Sequence, residues 1–246
     1  MKKWAVVLLA LAMMLSLCGS VPAEEPAAET PEAAPVVLEE GGSIEFGRYD
    51  RDNDEKNGAE PIVWDVLALE DGRALLISHA ALDAKPYHET YENVTWGTCT
   101  LRAWLNGEFL NAAFDAGEQA CILVTTVDNS AAQNPEDEAY WKQGSENTED
   151  KLFLFSYAEA WQYYKRDRRR TCEATPTAIA RGVTTDTTNS CWWWLRSPGF
   201  TPNDAAGVKN QGYLNHRDVS STTAGVRPAM WVDAEAVLAL LNKPAE

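Results

Sequence analysis

The 246-residue sequence has little positive charge, few histidines and no apolar run long enough to span a membrane. Its 21 lysines and arginines are outnumbered by 37 aspartates and glutamates, which gives a formal net charge of −16. This charge argues against binding to nucleic acid or to an anionic lipid surface, because both depend on many lysine and arginine contacts. An apolar share of 45% without a collagen or coiled-coil repeat instead indicates a globular protein.

Motifs of several catalytic and metal-binding classes are also missing. The sequence contains no G-x-S-x-G, H-E-x-x-H, P-loop or C-x-x-C motif, and its three histidines (His79, His88 and His216) are scattered. A structural zinc site is therefore not expected, and neither is a hydrolase or nucleotide-binding enzyme of these classes. We predict a protein that is not an enzyme and needs no cofactor.

The apolar run over residues 4–17 indicates export. It follows a basic start and contains 14 residues, whereas a membrane-spanning helix needs about 20. Small residues before Glu24 match a signal-peptidase site, so residues 1–23 are predicted to be a signal peptide of a secreted protein. The alternative is a lipid anchor at the cell surface through Cys18, although Leu17 is larger than the residue expected before a lipid-bearing cysteine.

Two further segments follow. Residues 24–42 consist mainly of Glu, Pro and Ala, a composition that cannot form a core and predicts an acidic tether. Residues 43–246 contain no repeat and are predicted to form a single globular domain. In that domain the helical patterns precede a strand-rich second half rather than alternating with it. We therefore predict an α+β fold with a largely antiparallel sheet and a few short helices.

Local signals place some of these elements. Asp71-Gly72 predicts the turn of a hairpin between two apolar runs. A helix is predicted from Thr100 until Asn106-Gly107 ends it, and two capping boxes, Asp115–Glu118 and Ser156–Glu159, are predicted to begin further helices. The predicted strands of the second half cover residues 191–196, 205–208, 213–217 and 226–232.

Three consecutive tryptophans, Trp192, Trp193 and Trp194, are the strongest single signal. Side chains alternate along a strand, so these rings lie on both of its faces. If exposed, they would show about 600 Å² of apolar surface, which is as much as the largest patch of a soluble monomer. We predict a central strand covered on both faces, with a sugar-stacking role for one ring as the alternative.

Arg196, Arg227 and Trp231 complete the predicted structural signature of this half. Each arginine is expected to pair with a carboxylate, because an unpaired buried guanidinium is very costly. Pro228 lacks a donor for the sheet ladder, so its strand is predicted to lie at an edge or to carry a bulge.

Four cysteines remain after the signal peptide: Cys99, Cys121, Cys172 and Cys191. In an exported chain they allow up to two disulfides with three possible pairings, and free buried thiols are the alternative. We favour Cys172 with Cys191, because this bond would close a loop of moderate length next to the tryptophan-rich strand.

Two charged runs are each interpreted as an ordinary surface feature. Asp50, Asp52 and Asp54 occupy the first ligand positions of a calcium loop, but Glu55 and Pro61 exclude an EF-hand. A calcium ion bound at the surface by these acids is the alternative to an acidic turn. The basic run over residues 165–170 is interpreted as a solvated helix end.

Several motifs, taken in order, resemble the bacterial domain-of-unknown-function family 6273 over residues 43–232. The motifs are F-G-R-Y (46–49), N-G-A-E-P-I-V-W (57–64), W-G-T-C-T-L-R-A-W-L-N (96–106), F-L-N-A-A-F (109–114), W-W-W-L-R-S-P-G (192–199), A-A-G-V-K-N-Q-G (205–212) and G-V-R-P-A-M-W-V (225–232). The closing strands of that family resemble C-type-lectin-like folds, including relatives of the formylglycine-generating enzyme. The resemblance implies a C-type-lectin-like mixed fold and carries over no activity.

These observations predict an exported, non-catalytic module that binds a glycan or a protein surface through loops of its last strands. Such loops on a stiff sheet are where binding usually takes place. The candidate ligand-binding residues are Asn203, Asp204, Asn210, Asn215, His216 and Arg217. The alternatives are a structural component of the cell envelope and a metal-dependent enzyme on a formylglycine-generating-enzyme-like scaffold. That enzyme would need closely placed cysteines to hold its metal.

Overall fold

The computed structural model describes residues 34–134 and 143–243 of the protein. The predicted signal peptide (residues 1–23), with its alternative lipid anchor at Cys18, lies outside these residues. So does most of the predicted tether. Export therefore stays a prediction.

The compact unit begins at Pro35, before the predicted domain boundary at residue 43. Val36 packs against the core, and the backbone N–H of Gly41 donates a hydrogen bond to the carbonyl of Val66 (2.8 Å). The last residues of the predicted tether therefore belong to the folded unit. Their composition concealed this, because the contacts involve Val36, Leu38 and backbone groups as well as Glu40, whose carboxylate accepts from the N–H of Leu69 (3.0 Å).

The described residues form eleven strands and seven short α-helices. The strands are β1 (Ser43–Tyr49), β2 (Glu60–Glu70), β3 (Arg73–Ser78), β4 (Asp83–Ala84), β5 (Thr125–Val127), β6 (Thr148–Asp150), β7 (Trp193–Pro198), β8 (Asp204–Val208), β9 (Leu214–Asp218), β10 (Gly225–Val226) and β11 (Ala229–Asp233). The helices are α1 (Thr100–Trp104), α2 (Leu110–Ala113), α3 (Ala116–Cys121), α4 (Tyr157–Tyr163), α5 (Asp167–Arg170), α6 (Pro176–Ala180) and α7 (Ala234–Leu241). The predicted α+β class with mostly antiparallel pairing and few short helices is confirmed.

The first sheet joins the two ends of the domain in the order β1-β2-β3-β11. Asp71 and Gly72 form the predicted hairpin turn, and both have positive φ angles (48° and 76°), which a two-residue turn of type I′ requires. On the other side of β3, Met230 pairs with Leu76. The last strand of the chain therefore completes the sheet that the first strands begin.

The second sheet has the order β4-β10-β7-β8-β9 and places the tryptophan-rich strand β7 at its centre. Trp193 and Trp194 are fully buried and Trp192 is 6% exposed, so the predicted burial on both faces is confirmed. The Trp193 indole donates a hydrogen bond to the carbonyl of Arg170 (2.9 Å). A Cβ at Gly207 would lie 1.9 Å from the ring of Trp192, so β8 approaches that ring as only glycine permits.

The predicted strand over residues 226–232 is divided between the two sheets at Arg227 and Pro228. Pro228 has no N–H to donate, and its carbonyl accepts a hydrogen bond from Ser78 (2.9 Å). The Arg227 side chain donates to the carbonyl of Ser78 (2.8 Å) and lies 3.4 Å from the carboxylate of Asp65. The predicted pairing of Arg227 with a carboxylate is confirmed. In the neighbouring strand, Trp231 is partly buried beneath the guanidinium of Arg73 (4.4 Å).

The predicted end of a helix at Asn106-Gly107 is wrong. The helix continues from α1 through a π-helical turn (Leu105–Phe109) into α2. The Asn106 side chain explains the difference, since its oxygen accepts from the backbone N–H groups of Lys151 (2.9 Å) and Leu152 (3.0 Å). Its amide also donates to the carbonyl of Leu152 (2.8 Å). An asparagine that would favour a turn in isolation thus secures a distant segment to this helix.

Replacing Asn106 by Ala is expected to destabilise the protein by about 2 kcal/mol, because backbone groups of Lys151 and Leu152 lose their partners. Chemical unfolding in urea followed by tryptophan fluorescence measures this. Asn111→Ala, at an exposed position of α2, is the matched control and should change the free energy of unfolding by less than about 0.5 kcal/mol. Equal midpoints for the two variants would contradict the role given to Asn106.

Candidate functional site

A pocket of about 320 Å³ lies beside the end of β7. Four parts of the chain line it: Tyr87, residues 93–98, the loop residues 128–134 together with 143–145, and residues 196–204. Its volume falls at the lower end of the roughly 300–1,000 Å³ typical of small-molecule sites. Segments far apart in sequence therefore form a concave site on the second sheet.

Two aromatic residues, Trp96 and Tyr87, form the apolar part of the pocket wall. Both are 2% exposed, and their ring centroids are 6.2 Å apart. The Trp96 indole donates to the carboxylate of Asp150 (2.9 Å), and the Tyr87 hydroxyl donates to the carbonyl of Arg196 (2.9 Å). These hydrogen bonds fix both rings in position.

The side chain of Arg196 forms an ion pair beneath the pocket. It is 2% exposed, and both of its terminal nitrogens donate to the carboxylate of Glu159. One of them also donates to the carbonyl of Leu154 (2.7 Å) and the other to that of Asp128 (3.0 Å). The predicted pairing of Arg196 with a carboxylate is confirmed. Its charge is therefore already balanced by the protein.

Five amide side chains contribute to the polar lining of the pocket. These residues are Asn93, Asn129, Gln133, Asn134 and Gln143. Asn129 and Gln133 fix the loop: the Asn129 amide donates to Glu146 and Thr148 (3.2 Å each), and the Gln133 amide donates to Asp128 (2.9 Å). Asn93 and Gln143 are exposed at the rim. The lining thus contains amides that are hydrogen-bonded within the protein and amides that are accessible to a ligand.

Two carboxylates, Asp128 and Asp204, also line the pocket. The backbone N–H of Ser130 donates to Asp128 (2.8 Å) and holds the pKa of this carboxyl below its usual value. Asp204 lies 3.3 Å from the imidazole of His216. Because Glu159 balances Arg196, the described lining residues offer no unpaired cation to an anionic ligand. The described lining therefore offers no charge complementary to an anion, and its amides can donate and accept hydrogen bonds.

The predicted ligand-binding residues are only partly brought together. Asp204 lines the pocket, and His216 pairs with it, while the others lie outside the lining, namely Asn203, Asn210, Asn215 and Arg217. Asn215, His216 and Arg217 belong to β9, at the edge of the second sheet. Arg217 braces the structure, since it donates to Thr223 (2.7 Å) and lies over the Trp192 ring (4.5 Å). Ligand binding by these loop residues stays a prediction.

The pocket residues of the first half were not predicted from the sequence. Trp96 belongs to one of the motifs, but nothing in the local pattern separates a pocket wall from ordinary core. The loop that contains Asn129 and Gln133 has the sequence D-N-S-A-A-Q-N, which has no periodicity. Its amide content was the one available signal.

The predicted Cys172–Cys191 disulfide is not formed in the structure, which holds all four described cysteines as free thiols. The two residues are nevertheless adjacent, since the backbone N–H of Cys191 donates to the carbonyl of Cys172 (2.8 Å). Cys99 and Cys121 lie elsewhere, and each thiol approaches a backbone carbonyl, of Trp96 and Gly117 respectively (3.4 Å each).

The acidic turn near the start of the domain groups Asp50, Asp52 and Glu60, whose oxygens lie within 4.8 Å of one another. Asp54 is not part of this group. Backbone N–H groups already donate to each of the three, including that of Arg51 to Glu60 (2.8 Å). These bonds account for the shape of the turn, and a calcium ion at the surface stays the untested alternative.

A comparison with protein-family models shows which family the chain belongs to. The family model described as Domain of unknown function (DUF6273) matches residues 71–234, more than half of the sequence. The chain belongs to the DUF6273 family. The DUF6273 match includes the residues that line the pocket. No curated protein and no solved structure matches the chain.

Among the residues that the structure describes, no helix has the length and apolarity to cross a membrane.

Proposed function

We propose that this DUF6273 protein is an exported, non-catalytic binding module whose pocket beside β7 holds a small neutral carbohydrate. The observation that carries the proposal is a lining with five amide side chains and no unpaired cation among the described lining residues. Amides donate and accept hydrogen bonds, as sugar hydroxyls do. The C-type-lectin-like fold belongs to the same proposal, supported by the resemblance of the closing strands.

The proposal moves the binding site from the predicted loops to the pocket. The two locations involve different residues. Asn93 and Gln143 lie at the pocket rim, whereas Asn210 lies in the β8–β9 loop and Asn215 lies in β9. All four carry amide side chains outside the core. They therefore offer matched substitutions that differ in position but not in chemistry.

Replacing Asn93 or Gln143 by Ala is expected to weaken glycan binding about five- to tenfold, since each loses a hydrogen bond of about 1 kcal/mol. A glycan array with the mature chain identifies the ligand, and calorimetric titration then measures its affinity for each variant. The matched variants Asn210→Ala and Asn215→Ala should bind within about twofold of the parent.

The array is run with calcium and with a chelator. Equal binding in both is expected, because the acidic turn of Asp50, Asp52 and Glu60 is not part of the pocket lining. Weakening confined to Asn210→Ala and Asn215→Ala would move the site back to the loops. An array with no glycan above background would remove the carbohydrate proposal.

A further inference from the structure

Cys172 and Cys191 face each other across a short antiparallel ladder. Glu173 pairs with Ser190, and the N–H of Cys191 donates to the carbonyl of Cys172 (2.8 Å). Directly opposed residues joined by such a bond have Cα atoms about 5.5 Å apart. A disulfide needs Cα atoms about 4.4–6.8 Å apart. At this ideal separation, the two residues fall within the range that a disulfide allows.

The electrostatic surroundings distinguish the two thiols. Burial by itself raises the pKa of Cys172, but the hydrogen bond from Cys191 and the positive charge of Arg227 outweigh it and bring this pKa below its usual value, to about 7. The same hydrogen bond, together with burial, raises the pKa of Cys191. Burial raises the pKa of Cys99 to about 12. Cys172 is thus the thiol whose anion the fold favours.

We propose that Cys172 and Cys191 form a covalent modification site, at which a disulfide-bearing oxidant converts the two thiols into a disulfide. The cross-strand position of the two residues and the backbone hydrogen bond between them carry this inference. It is independent of the ligand pocket.

The reaction proceeds by two thiol–disulfide exchanges. One protein thiolate attacks one sulfur of the external disulfide, whose S–S bond breaks, and the other sulfur leaves and takes up a proton. The second protein thiol then gives its proton to solvent, attacks the first protein sulfur and displaces the second external sulfur, which takes up a proton. Two protein thiols lose two electrons, and one external disulfide becomes two thiols.

Burial determines when this exchange occurs. Cys172 is 2% exposed and Cys191 is fully buried in the folded state. An oxidant therefore reaches them before the ladder closes during folding or when it opens locally. Once formed, the bond closes the loop that contains α6.

Peptide mapping tests the bond in the mature chain after equilibration in mixtures of reduced and oxidised glutathione. Trypsin cleaves after Arg170, Arg181 and Arg196, so the cysteines fall in separate peptides, residues 171–181 and 182–196. We expect these two peptides to be joined under oxidising conditions, with Cys99 and Cys121 recovered as alkylated thiols. Failure of the two peptides to join at every glutathione ratio would overturn the proposal, as would exclusive joining through Cys99 or Cys121.

Two single variants serve as controls. In Cys172→Ala and in Cys191→Ala, each of which keeps one thiol of the pair, the bond cannot form and oxidised glutathione should be trapped on the remaining thiol as a mixed disulfide. Remaining thiols that stay unmodified in both variants at every glutathione ratio, with folded-state tryptophan fluorescence, would contradict the exchange. If either variant does not fold, the peptide map of the unaltered chain still decides whether the bond forms.

Discussion

Replacing Glu159 by Ala is expected to destabilise the protein by about 3–5 kcal/mol, because it leaves a buried guanidinium without its counter-charge. Arg196 is 2% exposed, and both of its terminal nitrogens donate to Glu159. The carbonyls of Leu154 and Asp128 would remain as acceptors, but neither neutralises the charge. Urea unfolding followed by tryptophan fluorescence measures the loss.

The chain contains a matched control for this substitution. Glu159 and Glu118 both close capping boxes, with Ser156 and Asp115 respectively. Glu118 also accepts from the N–H of Gly47 (3.2 Å), but it has no buried arginine as a partner. Glu118→Ala should therefore cost only about 1–2 kcal/mol. Equal losses for the two variants would show that Glu159 acts as a cap and that the ion pair adds nothing.

The elements predicted correctly from the sequence are those determined by residues close together in the chain. The hairpin at Asp71-Gly72 depends on two adjacent residues that accept positive φ angles. The capping boxes at Asp115 and Ser156 depend on pairs three residues apart. Burial of the tryptophan run followed from its apolar area alone. In each case the physical cause lies within the segment itself.

Predictions failed where the deciding partner lies far away in sequence. Asn106 favours a turn by its type, but its side chain binds backbone groups 45 and 46 residues later. The basic run was interpreted as solvated, yet Arg170 is buried, and its side chain donates to the carbonyl of Gly212 (2.9 Å), 42 residues later. No local pattern reports such acceptors.

The same limit explains why only part of the candidate site was predicted. Asp204 was found because it belongs to the polar loops of the second half, where binding residues were expected. Trp96 and Asn129 reach the pocket only through tertiary packing: Trp96 is held by Asp150, and Asn129 by residues 146–148. The pocket is therefore a property of the assembled fold.

Replacing Trp193 by Ala is expected to have the largest effect of any single substitution considered, about 5 kcal/mol. Its ring is fully buried at the centre of the second sheet, and emptying such a site typically costs about 3–5 kcal/mol. The indole also donates to the carbonyl of Arg170 and lies 5.1 Å from the guanidinium of Arg227. The substitution therefore creates a cavity, leaves a buried carbonyl without its donor and removes a cation–π contact.

Trp161 provides the matched control, because it contacts Arg170 from the solvent side. Its ring is 55% exposed and lies 5.0 Å from the Arg170 guanidinium. Trp161→Ala should cost about 1 kcal/mol or less, since it loses a partly exposed cation–π contact and opens no cavity. Trp193→Phe keeps most of the ring volume but not the N–H, so it separates the hydrogen bond from the packing. If urea unfolding gave Trp193→Ala and Trp161→Ala similar midpoints, the tryptophan-rich strand would not be the centre of the folded core.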